Sequence, residues 1–120
     1  MTGYIVFAHG SPIESANEAV RAVAAEMERR GGMLVIAAFL EGGQPDLHGA
    51  VESIAARVSR VVVVPYFLTL GLHLQRDLPR LADEVRRAHP ELEIHVMPPL
   101  DGHPAMVDVL LARAHEAGTD

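Results

Sequence analysis

The chain has 120 residues, no cysteine, seven histidines and a formal net charge of −6. One core-bearing domain over residues 1–120 is expected at this length, and 49% apolar with 22% charged residues exclude a disordered chain. The acidic balance argues against a nucleic-acid partner, which needs a basic face, and without cysteine any metal must be held by His and carboxylate.

The first apolar run, Tyr4–Ala8, reads as a strand that ends in the sequence His9-Gly10-Ser11-Pro12. No basic segment precedes it, and it breaks far short of a signal sequence or membrane span, so a cytoplasmic protein with no membrane partner is expected. Ile13–Arg30 follows as a helix, with Pro12 near its first turn, acids at its start, Arg29-Arg30 at its end and Gly31-Gly32 as its stop. Met33–Leu40 is the second strand and Glu41-Gly42-Gly43 the turn beyond it. Pro45 and Asp46 open a helix that runs to about Val58, and Arg60–Leu68 is the third strand. The spacing predicts a helix over Leu72–Ala88, in which Pro79 imposes either a kink or a start at Leu78 after an irregular turn. Leu92–Met97 alternates as an edge strand does, and His103–Ala117 is the last helix.

This β-α-β-α-β-α-β-α order implies an α/β three-layer sandwich: a four-stranded parallel sheet, order 2-1-3-4, with helices on both faces. Ligands of such sheets bind beyond the carboxyl ends of the strands, at the switch point between the first and third. His9 and His73 then face one another, and with Glu41 they form a partial coordination sphere for a divalent metal or a set of general bases. Each could equally cap or pack at a strand end. Asp77, four residues after His73, could orient its imidazole, and Arg76 with Arg80 would suit an anionic ligand or stay in solvent. His103 opens the last helix as structural polar residues do, while His48, His89, His95 and His115 carry no functional argument.

Other chemistries lack their motifs. There is no G-x-S-x-G elbow to activate Ser11, no arginine in the first loop for a histidine phosphatase, no G-x-G-x-x-G or P-loop after the first strand, and no H-E-x-x-H.

Four blocks in order, "YIVFAHGSP", "AFLEGGQPDL", "VVVVPYFLTLGLHLQRDLP" and "PPLDGHPAMVDVLLAR", cover nearly the whole chain. Together they resemble the short class of the sirohydrochlorin chelatase family, cobaltochelatases with sirohaem ferrochelatases and nickel-inserting members close by. The resemblance implies insertion of a divalent metal, Co²⁺ first and Fe²⁺ or Ni²⁺ otherwise, into the anionic tetrapyrrole sirohydrochlorin. The metal is then a substrate, and no organic cofactor is expected. His9 and His73 take the roles of metal ligands and proton acceptors, and Glu41 matches an acid that joins as ligand in related chelatases. Arg76 and Arg80 are the expected carboxylate contacts. Ser11 and the backbone amides of the Gly10 and Gly71 loops serve as auxiliary donors, and Leu70, Tyr66 and Phe67 give apolar contact to the ring. A homodimer with facing clefts is implied, since longer chelatases carry two such domains. The alternative is a metal or tetrapyrrole carrier that uses the same His pair without turnover.

Overall fold

The computed structural model describes residues 1–118. Its strands are β1 (Thr2–Ala8), β2 (Leu34–Phe39), β3 (Arg60–Pro65) and β4 (Glu93–Val96). They alternate with the helices α1 (Glu14–Gly31), α2 (Leu47–Ile54), α3 (Leu72–Ala88) and α4 (Ala105–His115). All strands are parallel, in the order β2-β1-β3-β4, as the alternation predicts. Among the described residues no helix is long and apolar enough to cross a membrane.

The core divides at the sheet. On one face Ile5, Phe7, Val61, Val63 and Ile94 meet Val51 and Ile54 of α2 and Leu78 and Val85 of α3. On the other, Val6, Ala8, Val35, Ala37 and Phe39 pack with Ala24 of α1. β1 is buried on both faces because its neighbours alternate the same way in register, Ile5 beside Ile36 and Val63. Each buried side chain of Val, Ile or Phe size stabilises by about 1.5–3 kcal/mol against leaving it exposed, so this strand anchors the sheet.

Helix starts follow their signals. Asp46 Oδ1 accepts the Gly49 N–H at 2.8 Å at the head of α2, and Ser11 Oγ accepts the Ile13 N–H at 3.0 Å ahead of α1. α3 runs without interruption from Leu72 to Ala88, so Pro79 neither starts nor ends it. Its buried stripe, Leu74, Leu78, Ala82 and Val85, holds the helix on the sheet on both sides of the proline. α2 stops at Ile54, earlier than expected, because Ile54 is its last buried residue and the Arg57 N–H turns back onto the Ile54 carbonyl. β3 ends at Pro65, short of Leu68, although the Tyr66 N–H still reaches the Phe7 carbonyl at 2.7 Å.

The expectation of helices on both faces needs one refinement. α1 covers one face and α2 with α3 the other, but α4 buries none of its residues.

Candidate functional site

The ladder between β1 and β2 continues past the strand ends. Leu40 N–H donates to the Ala8 carbonyl at 2.9 Å, and Glu41 N–H to the His9 carbonyl at 3.0 Å. Backbone pairing therefore brings the two loops side by side, and His9 Nε2 stands 3.7 Å from Glu41 Oε1. Gly10 makes this approach feasible: its φ is 89°, and an added Cβ would lie 1.6 Å from the Glu41 carbonyl oxygen.

A buried residue that the sequence did not single out ties the loops together. Asn17 is 1% exposed, accepts the Ser11 N–H at 3.0 Å, and donates to the carbonyls of Ser11 at 2.8 Å and Gly42 at 2.9 Å. The available signal was its place on the inward stripe of α1, three and seven residues before Val20 and Ala24.

The switch point opens above β1 and β3 as a cavity of about 380 Å³, lined by His9, Leu40, Phe67, Thr69, Gly71, His73 and Asp77, among others. The two histidines that the strand order predicts to face one another do share one cleft. His73 reaches it from the first turn of α3, whose N-cap is Gly71. Phe67 forms its apolar floor, with its ring 6.4 Å from the His9 ring, edge-on, and 6.1 Å from Phe7. Among the described residues no three His, Asp or Glu side chains are gathered closely enough to hold a metal alone, so the arrangement is a His9–Glu41 pair with His73 across the opening.

The remaining predicted residues are distributed around this cleft. Asp77 lines it beside His73, but its Oδ1 accepts from Arg80 Nη2 at 3.3 Å. Arg76 and Arg80 are exposed on α3 and do not line the cavity, and Arg76 makes no ion pair among the described residues. Leu70 faces a separate groove of about 260 Å³ with Gln75, Leu78 and Pro79. Ser11 is half-buried, with its N–H committed to Asn17 and its Oγ to Ile13. Tyr66 is 41% exposed outside the cleft. His103 Nδ1 accepts the Ala105 N–H at 3.0 Å, which gives it a capping role at the head of α4.

The cleft rim thus sets an imidazole nitrogen near a carboxylate, with a second imidazole lining the same cavity: groups whose lone pairs suit either a cation or a proton.

The CbiX family model matches residues 3–117. The sirohydrochlorin cobaltochelatase of Methanosarcina barkeri is 29% identical over 124 residues, covering 96% of this chain and 95% of that protein. The sirohydrochlorin cobaltochelatase of Saccharolobus solfataricus is 33% identical over 123 residues, covering 97% of this chain and 95% of that protein. Among solved structures, a cobalamin biosynthesis CbiX protein from Marinobacter aquaeolei superposes with a TM-score of 0.86 at 24% identity, over 98% of this chain and 97% of that one. SirB from Bacillus subtilis with Fe³⁺ gives 0.88 at 20% identity, over 99% of this chain and 48% of that one. These two structures share the fold.

Proposed function

Because the chain belongs to the CbiX family, we propose that it inserts a divalent metal ion, Co²⁺ foremost and Fe²⁺ or Ni²⁺ as alternatives, into sirohydrochlorin. The observation that carries this reading is the single cleft shared by His9 and His73, with Glu41 3.7 Å from His9.

Metallation exchanges two pyrrole N–H protons for one M²⁺, so a catalyst must surrender the ion and accept two protons. Imidazole does both in turn: a ring nitrogen that lets go of the metal regains the lone pair that takes a proton. His9 and His73 supply two such nitrogens, and Glu41 is the third ligand in this reading. A loose ligand set serves a metal that has to be given away. Phe67 offers the ring an apolar face in the cleft, while Leu70, in the neighbouring groove, and the exposed Tyr66 would meet the ring only where it extends beyond the cleft.

The substrate is anionic and the chain is net acidic, so attraction must be local. Arg76 is the better placed carboxylate contact, since Arg80 is occupied by Asp77. The backbone amides of Gly10 and Gly71 and the hydroxyl of Ser11 are the remaining donors in this scheme. One domain gives a large flat ring limited enclosure, which favours the homodimer.

The test is anaerobic incubation of the purified chain with sirohydrochlorin and Co²⁺, followed by absorbance. Insertion is expected to outrun the protein-free rate, and His9→Ala and His73→Ala are each expected to lose at least about 100-fold. Both side chains are exposed, so these variants should fold normally. A wild-type rate equal to the protein-free rate would overturn the reading, and binding without turnover would identify a carrier. Rates with Co²⁺, Fe²⁺ and Ni²⁺ rank the metals.

A further inference from the structure

The Glu41 carboxylate and the His9 imidazole have little to hold them except the backbone beneath. Their side chains are 70% and 58% exposed, and among the described residues His9 is the only ion-pair partner of Glu41. Exposed side chains change rotamer freely, so the separation of the two backbones decides how readily the pair meets. Whatever fixes the loop after β2 therefore fixes the pair.

α1 lies along that loop and grips it twice. Asn17 donates to the Gly42 carbonyl at 2.9 Å, and Arg21 Nη2 donates to the Gln44 carbonyl at 3.0 Å. The spacings agree: four helical residues rise about 6 Å, and two residues of extended chain span at most about 7 Å. Between the grips Gly43 packs so closely that an added Cβ would stand 2.9 Å from both Asn17 Nδ2 and the Phe39 ring. At the neck of the loop the Phe39 N–H donates to the Pro45 carbonyl at 2.9 Å.

The second grip is itself held in place. Arg21 Nη1 donates to Glu14 Oε1 at 2.6 Å and to Glu18, and the guanidinium carbon lies 5.2 Å from the centroid of the Phe39 ring. Both acids belong to earlier turns of α1 and aim the planar fork, which leaves Nη2 for the loop. The buried Phe39 ring is its backstop. A lysine, a point charge on a flexible stem, has no rigid fork that serves acids, carbonyl and ring together.

We propose that Arg21 is a positioning residue: together with Asn17 it latches the loop to α1 and keeps the Glu41 carboxylate within reach of His9. Arg21 stays off the cleft and lines a separate groove beside β2, so it acts only through the loop. The inference rests on the functional reading for what the pair does, but not for the latch itself.

Hydrogen exchange and Co²⁺ binding, both without tetrapyrrole, test it. In Arg21→Met the Phe39 amide and the Glu41 amide, which is bonded to the His9 carbonyl, should exchange at least about 5-fold faster, with the circular dichroism unchanged. Arg21→Lys should recover less than half of that change. Glu18→Gln removes one ion pair of Arg21 without touching the Gln44 contact, and it should leave both rates as in the wild type. Followed by absorbance, the Co²⁺ dissociation constant should rise at least about 5-fold in Arg21→Met and in Glu41→Gln, and the double variant should be no weaker than Glu41→Gln alone. Wild-type exchange at Phe39 and Glu41 in Arg21→Met, or an equal loss of Co²⁺ affinity with and without the Glu41 carboxylate, would overturn the latch. Co²⁺ affinity indifferent to Glu41→Gln would instead remove Glu41 from the functional reading, and the exchange rates would still decide the latch.

Discussion

Asn17 satisfies three backbone groups of two different loops with one carboxamide, and the Ser11 N–H fixes which end of it is oxygen. Asn17→Ala leaves those groups buried without partners, so it should cost about 1–3 kcal/mol in urea unfolding. It should also slow metal insertion by loosening the His9–Glu41 approach, even though Asn17 stays off the cleft. Glu26 shows a different kind of residue effect. Hydrogen bonds from Arg29 and then Arg30 pull its carboxyl from 4.5 down to about 2. A depressed carboxylate stabilises the fold above its unfolded pKa and loses that contribution as pH falls from 4.5 toward 2. The group is at the surface, so 0.5 M salt should flatten much of this acid limb, and Glu26→Gln should remove it from an acid-unfolding curve. The positions of His9, Glu41 and His73 around one cleft were legible in the sequence because strand ends in a parallel sheet can be located. Asn17 was not, since a polar residue near a helix start is ordinary until its burial is seen.

Element types were legible throughout, because apolar runs and helical spacing alternate without interruption; their ends were not. α2 stops where burial stops, and β3 stops at Pro65, although the apolar run extends to Leu68. Propensity gave no warning of either limit, which tertiary packing sets. α3 shows packing prevailing over a local rule. Pro79 has no N–H for the Gln75 carbonyl, yet the buried Leu74, Leu78, Ala82 and Val85 keep the helix continuous. Since the conformation is already helical and Pro79 is exposed, Pro79→Ala should raise stability by about 1 kcal/mol or more, read as a shift in the urea midpoint. A fall in stability would mean that the stiffness of proline matters more here than the missing bond.

At the scale of the molecule, the strand order was inferable from chain alternation and connection rules, and that order brings His9 and His73 into one cleft. The extent of 58 × 34 × 29 Å was not inferable, because the pattern of α4 specifies a helix without specifying what it packs against. The outer rim of the sheet has its own safeguard at β2, where the Glu28 carboxylate accepts the Val35 N–H at 2.9 Å and the Pro45 carbonyl accepts the Phe39 N–H at 2.9 Å. β4 is only four residues long and runs into Pro98-Pro99. Neither rim offers a long free template for another strand. Glu28→Ala should therefore increase light scattering on prolonged incubation near the unfolding temperature, with little change in the midpoint itself. A protein with exposed apolar surface runs the risk of sticking to itself without limit, and here a single carboxylate helps ensure that sheet-to-sheet growth into fibres is not the form that sticking takes.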